Sequence, residues 1–245
     1  MVSSHSVEIA ARRGSVKQAF LRRLLQWRFH LFQRRRFNRL VLEQVAGHSI
    51  VVLPGVFHPR LFRTGEFLAG ALDAHLVPPG STVLDMGTGS GIGAFAAARH
   101  ARRVVAVDIN PAAVRCARIN ALLNGMEDTI DVREGDLFAP VAGRQFDVVL
   151  FNPPFFYGRP RDDLERALWS TDVAVRFAAA LPAHLAPGGR ALVLLSSDGD
   201  ERSFLDAFRA NGLAVHVAVT HTFLTETLTI YRVVRACEES HDPPL

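Results

Sequence analysis

The chain of 245 residues contains little that would staple it, anchor it or load it with metal. Its two cysteines, Cys116 and Cys237, exclude a disulfide framework and a cysteine zinc cluster, and they suit reduced side chains in a cytosol. Ten histidines are scattered without cysteine partners or an H-E-x-x-H spacing, so no metal site is expected. No run reaches the roughly 18 apolar residues of a membrane span. The first apolar stretch is broken by arginines, so no secretory signal is read and the expected location is cytoplasmic. No internal repeat is visible. With 49% hydrophobic residues, the chain can still bury one large core.

Acidic residues are nearly missing from the front end. Residues 1–40 hold ten basic side chains and one acid, Glu8, for a net +9, and the remaining residues sum to −5. From about Glu8 to Ala46 the pattern is helical: Phe20, Leu24, Trp27 and Leu31 recur at steps of four, three and four, widened by Leu21, Leu25 and Phe32. Residues 1–48 therefore read as a basic, amphipathic helical extension. Two roles fit it: an arm that contacts RNA or an acidic surface, or a helix packed by its aromatic stripe with solvated arginines outside. The stripe could equally pair with a second copy, and the oligomeric state is not readable.

Residues 49–236 read as the main domain, with 49–80 as a lead-in and 237–245 as a polar, proline-rich tail. Ser49–Phe57 is β-like and broken by Pro54-Gly55; a helix follows to about Leu76, with Phe67, Leu68, Ala71, Leu72 and His75 inward. Beyond Ser81, strands and helices alternate as in an open, mostly parallel sheet. Strands fall at Thr82–Asp85, Arg103–Val107, Thr129–Arg133, Phe146–Phe151 and Arg190–Ser196, and Leu213–Thr220 with Thr227–Val234 form an antiparallel pair. Helices fall at Ile92–His100, Pro111–Leu123, Leu164–His184 and Glu201–Ala210.

The chain is organised around Val83-Leu84-Asp85-Met86-Gly87-Thr88-Gly89-Ser90-Gly91-Ile92-Gly93, a strand that feeds a helix through glycines. Such a turn lets a ligand meet bare backbone. The spacing admits either a dinucleotide pyrophosphate or the amino-acid end of S-adenosylmethionine, since Gly89-x-Gly91-x-x-Ala94 fits the dinucleotide pattern. Asp108, after the second strand, is a ribose-binding acid for either ligand. Asp85, two residues before the first glycine, favours a ligand carrying positive charge there, as a methionine moiety does. Asp136 could accept from an adenine amino group.

Asn152-Pro153-Pro154-Phe155 follows the fourth strand's carboxyl end. Two prolines fix φ and remove two donors, leaving a rigid row of acceptors beside the Asn152 amide. If Asn152 Oδ1 and the Pro153 carbonyl accept both hydrogens of a planar NH2 group, its nitrogen is aimed at a methyl donor, with Phe155 stacked on the plane.

This set, in this order, resembles the class I S-adenosylmethionine-dependent N-methyltransferases, over roughly residues 50–235. Within them it is most similar to the HemK-type branch, which methylates a glutamine amide in translation release factors. Val56-Phe57-x-Pro59 with Thr64, Phe67 and Leu68 resembles that branch's segment over the cofactor, and Glu226–Ile230 its last strand. Phe155 stands where the branch usually has tyrosine.

The resemblance implies a Rossmann-like sheet with helices on both faces and an antiparallel last strand, and S-adenosylmethionine as cofactor. Asp85, Gly87, Thr88, Gly89, Gly91, Asp108, Ile109, Asp136, Leu137, Asn152 and Thr64 would hold the cofactor, and Asn152, Pro153 and Phe155 would act on the acceptor. The implied partner is a protein glutamine. The tract from Asn152 to Phe156 with Arg166-Ala167 is also similar to enzymes that methylate tRNA and rRNA bases, and a small-molecule nitrogen remains open. A nicotinamide-dependent oxidoreductase is the rival of another class, with no use for Asp85 or the rigid acceptors.

Overall fold

The computed structural model describes residues 39–59, 63–154, 156–157, 169–224 and 226–237, with backbone alone at 156–157 and 169–170. The expected basic helix with its stripe from Phe20 to Phe32 lies outside the described residues, as do Phe155, Arg166-Ala167 and the tail from 238. The compact unit that carries the sheet begins at Leu40.

The elements in chain order are β1 (Val41–Val45), β2 (His48–Val52), α1 (Thr64–Ala71), β3 (Thr82–Met86), α2 (Ile92–Ala98), β4 (Arg103–Asp108), α3 (Pro111–Leu123), β5 (Ile130–Glu134), β6 (Phe146–Phe151), β7 (Phe156–Tyr157), β8 (Trp169–Ser170), α4 (Val173–His184), β9 (Leu185–Ser196), α5 (Glu201–Ala210), β10 (Leu213–Thr222) and β11 (Thr227–Arg235). A seven-stranded sheet runs β10-β11-β9-β6-β3-β4-β5. From β9 to β5 all pairs are parallel, and β11 runs against both β9 and β10. Strand order reverses between β3 and β6, which opens a crevice at their carboxyl ends.

The central strands are apolar on both sides because helices cover both faces. Val83, Val104, Val148 and Leu192 belong to the core beneath α1, α2 and α3, while Leu84, Val105, Val149 and Val193 belong to the core beneath α4 and α5. Phe177 of α4, fully buried, stacks on Phe138 at 5.4 Å and lies 4.4 Å from Phe151, at the end of β6. That aromatic cluster holds Phe151, and so Asn152 after it, against the sheet.

Four elements differ from the sequence reading by more than two residues. The helical pattern was expected to reach Ala46, but Val41–Val45 is a strand, paired with β2 from Val41–Val52 to Val45–His48. Ala46 and Gly47 turn between them with φ of 49° and 85°, the geometry of a tight hairpin turn. Leu42 points to solvent on this strand. The lead-in helix stops at Ala71, not Leu76: Asp73 Oδ1 accepts from the backbone N–H of His75 at 3.0 Å and Leu76 at 2.9 Å, a turn that competes with further helix and leaves His75 exposed. Of the helix expected from Leu164 to His184, residues 164–168 lie outside the described residues; Trp169-Ser170 pairs with Phe156-Tyr157, and the helix runs from Val173 to His184. The strand expected from Arg190 begins at Leu185, and residues 186–189 bulge out between the pairs Phe146–Leu185 and Val148–Arg190. No helix among the described residues is long and apolar enough to cross a membrane.

The hairpin is held to the body by asparagines of α3. Asn120, fully buried, accepts from the Val51 N–H at 2.7 Å and donates to the Val51 carbonyl at 2.7 Å and the Ser90 carbonyl at 2.9 Å. Asn124 donates to the Ser49 carbonyl at 2.9 Å, and Asn110 donates to the Gly55 carbonyl at 3.0 Å. One side chain thus joins the hairpin to the glycine turn. Asn120→Ala removes these three hydrogen bonds, though Cys116 Sγ still lies 3.0 Å from the Val51 carbonyl, and its expected cost is about 3 kcal/mol of stability. Denaturant melts of the variant and the parent measure it.

Candidate functional site

The cleft lies at the carboxyl ends of β3, β4 and β6, where the strand order reverses. Its floor is the turn after β3. Gly87, Gly89 and Gly91 have φ of 65°, 57° and 93°, so the chain turns through conformations that side chains resist. Gly87 and Gly89 line the cleft, and Gly91 sits beneath it, where a Cβ would lie 2.8 Å from the Phe95 ring.

Asp85, next to last in β3, lies on the α2 side, 4% exposed. Its Oδ2 accepts from Thr88 Oγ1 at 2.6 Å and from the Ala94 N–H at 2.9 Å, in the first turn of α2. A Cβ at Gly93 would lie 2.7 Å from Asp85 Oδ1, so glycine there makes room for the carboxylate. The carboxyl therefore does a structural task that spacing alone did not reveal. Burial pushes its pKa up to about 6, against the hydrogen bonds from Thr88 and Ala94, and the nearby Asp108 charge adds to the rise.

Asp108 ends β4 with its oxygens held apart: Oδ2 accepts from the Gly89 N–H at 2.8 Å and Oδ1 from the Asn110 N–H at 2.9 Å. Burial raises its pKa too, opposed by backbone N–H groups of Asn110, Gly89 and Ile109. Each oxygen keeps a lone pair for a hydroxyl. Buried Asp85 and half-buried Asp108 at one wall make the cleft favourable to a cation, and the bare glycine backbone admits a ligand's polar end. These residues fit S-adenosylmethionine, whose methionine moiety carries an ammonium and a sulfonium cation and whose ribose needs acceptors.

Asp136 and Leu137 line the far wall, with Ile109 beside them. Asp136, expected to meet an adenine amino group, is ion-paired with Arg176 of α4, and Arg176 also lies 3.7 Å from Asp172. Both Asp136 and Arg176 are about half exposed, so water screens this pair. Arg176 was missed in the sequence because a cation on an amphipathic helix carries no mark of where its helix packs. Phe57 and Pro59 line the cleft from the lead-in.

Asn152 and Pro153 stand at the opposite end, after β6. Asn152 Nδ2 donates to Thr64 Oγ1 at 3.3 Å, while its Oδ1 is buried with no hydrogen-bond partner among the described residues. Thr64, expected to touch the cofactor, is 2% exposed and does not line the cleft. Gly91 also lies off the lining; the other predicted residues converge on one cavity, and Phe155 lies outside the described residues.

Residues 47–223 match the family profile described as methyltransferase small domain. A putative protein N5-glutamine methyltransferase of Methanocaldococcus jannaschii is 31% identical over 181 residues, covering 69% of this chain and 90% of that protein. A ribosomal protein L11 methyltransferase of Pelotomaculum thermopropionicum is 42% identical over 142 residues, 57% of this chain and 40% of that one. Among solved structures, a T. thermophilus 16S rRNA N2 methyltransferase in complex with AdoMet and guanosine superposes with a TM-score of 0.58 at 24% identity, over 78% of this chain and 49% of that one.

Asp85 makes stability depend on pH in a definite direction. Its folded pKa of about 6 stands above the ordinary 3.8, so between those values the folded state holds the extra proton and stability falls as pH rises. The full effect is about 3 kcal/mol. Asp85→Asn keeps an acceptor for Thr88 and Ala94 but cannot ionise. The difference in unfolding free energy, variant minus parent, should grow in the variant's favour from pH 4 to pH 6 and then level off.

Proposed function

The chain belongs to the methyltransferase small domain family, and on that premise we propose that it methylates the side-chain amide nitrogen of a protein glutamine. It is an S-adenosylmethionine-dependent N-methyltransferase. The observation that carries the acceptor reading is Asn152 Oδ1, buried on a residue that lines the cleft and without a hydrogen-bond partner among the described residues. A buried acceptor without a donor costs stability unless a ligand completes it.

When bound, S-adenosylmethionine supplies an electrophilic methyl group on a sulfonium. The chain's part is to hold donor and acceptor and to point the acceptor nitrogen. The glycine turn and Asp85 provide backbone and negative potential for the methionine moiety, and Asp108 provides hydroxyl acceptors. Asn152 Oδ1 and the Pro153 carbonyl accept the two N–H bonds of a planar amide and turn its nitrogen toward the methyl. As the nitrogen forms its bond to carbon it becomes positive and its hydrogens more acidic, so these acceptors bind the transition state more strongly than the ground state. The proton leaves to water afterwards, and no strong base is required.

The exocyclic amino group of an RNA base offers the same two hydrogens. The excess of +9 in residues 1–40 favours an RNA partner for that segment, and a cytoplasmic location suits either acceptor. Transfer of labelled methyl into fractionated cell protein and RNA decides between them; label in protein glutamine supports the proposal, and label confined to RNA overturns it. Asn152→Ala should leave donor affinity nearly unchanged and lower turnover by about 10²–10³-fold. Asp108→Ala should abolish S-adenosylmethionine binding in calorimetry, and unchanged affinity would remove Asp108 from the donor site.

A further inference from the structure

The orientation of the Asn152 amide decides whether the site can work at all. An amide presents an acceptor on one side and two donors on the other, and a half-turn exchanges them. With the oxygen toward the cleft, Asn152 can receive an N–H from a planar amide. With the NH2 toward the cleft, donor would face donor and the acceptor group would be repelled. Nothing in Asn152 itself chooses between these two orientations.

We infer that Thr64 is the positioning residue that holds the Asn152 amide in the working orientation, an assignment that rests on the role given above to Asn152. Thr64 Oγ1 lies 3.3 Å from Asn152 Nδ2 and accepts from it, which anchors the NH2 end of the amide, and Oδ1 has no hydrogen-bond partner among the described residues. Thr64 is 2% exposed, so water is kept from competing for the amide. The hydroxyl oxygen is fixed because its helix is fixed. Thr64 opens α1 directly after Arg63, whose φ of 56° swings the chain into the helix, and the Arg63 guanidinium lies 5.2 Å from the centre of the Phe223 ring. The next residue, Gly65, is seated so closely that a Cβ would lie 2.9 Å from Pro59 Cβ and 3.3 Å from Ile92 Cγ2. At the other end of α1, the Arg99 guanidinium of α2 donates to the Leu72 carbonyl at 3.0 Å and the Ala69 carbonyl at 3.4 Å. Helix α1 is thus clamped at both ends, with Thr64 at its start.

The arrangement also joins the two halves of the site. Phe57, Pro59, Gly65 and Leu68 of the lead-in line the donor cleft, and Thr64 of the same segment holds the acceptor residue. The segment that covers the donor therefore sets the geometry of the acceptor group. Thr64 touches neither the donor nor the acceptor, and acts through Asn152.

Thr64→Val keeps the shape and removes the acceptor; Thr64→Ser keeps the acceptor and removes a methyl. In the full-length protein labelled with 15N, the Asn152 side-chain amide resonance is identified by its loss in Asn152→Ala. Its hydrogen exchange should speed up about tenfold in Thr64→Val and return most of the way in Thr64→Ser. Labelled methyl transfer into the cell fraction that accepts it should show kcat lowered about tenfold in Thr64→Val, with KM and calorimetric S-adenosylmethionine affinity little changed, and most of the rate recovered in Thr64→Ser. Parent-like amide exchange and turnover in Thr64→Val overturn the assignment. So does equal loss of donor binding in both variants, which would mean that Thr64 only packs the helix. If no fraction accepts methyl from the parent while the Asn152 amide still responds to Thr64→Val, the acceptor reading fails and the link between the two residues stands.

Discussion

The site depends on a carboxylate taken out of water. Asp85, next to last in β3, reaches past the glycine turn and receives the Ala94 N–H and the Thr88 hydroxyl, so the strand end and the start of α2 become one rigid corner. Burying that charge is unfavourable, as its raised pKa records, and the fold tolerates it because the hydrogen bonds are short and both donors are fixed. The same charge is what a cationic ligand would meet on entering the cleft. Structural corner and electrostatic attraction are thus one feature, and Gly93 is small because that carboxylate needs its space.

From this corner the rest of the binding region is assembled by side chains that serve backbone. Asp108 binds the Gly89 N–H and so ties the second strand to the same turn. Asn120 binds the Ser90 carbonyl from below and the hairpin from the side. The result is a glycine loop whose freedom is removed by neighbours from β4 and α3, with its backbone still bare toward the cleft. Flexibility in the residues and rigidity in the fold are compatible because every constraint comes from outside the loop.

At the acceptor end the logic is different. Aromatic packing around Phe151 and Phe177 fixes the end of β6, and Pro153 and Pro154 stiffen the backbone just beyond it. The polar contact between Thr64 and Asn152 then adds direction to a position that packing had already set. Apolar contacts locate a group, while a single hydrogen bond can orient it.

Local order carried much of this into the sequence. A glycine turn after an apolar strand, an acid after the next strand, and Asn-Pro-Pro after the fourth are each written in a few adjacent residues, and one sheet with parallel crossovers brings them to one edge. That much the sequence by itself determined: the central strands, the helix from Pro111 to Leu123, and the convergence of Asp85, Asp108, Asn152 and Pro153 on one cleft. The tertiary structure decided what depends on partners distant in the chain. The strand Val41–Val45 exists because β2 pairs with it, and the stretch up to Ala46 reads as helix until that partner is present. Asp136 faces Arg176 only because α4 packs beside β5's exit, forty residues on. Thr64 faces Asn152 across 88 residues, a separation at which no spacing rule operates. Short-range pattern names the groups a site contains; only packing decides which of them touch the ligand and which hold the others in place.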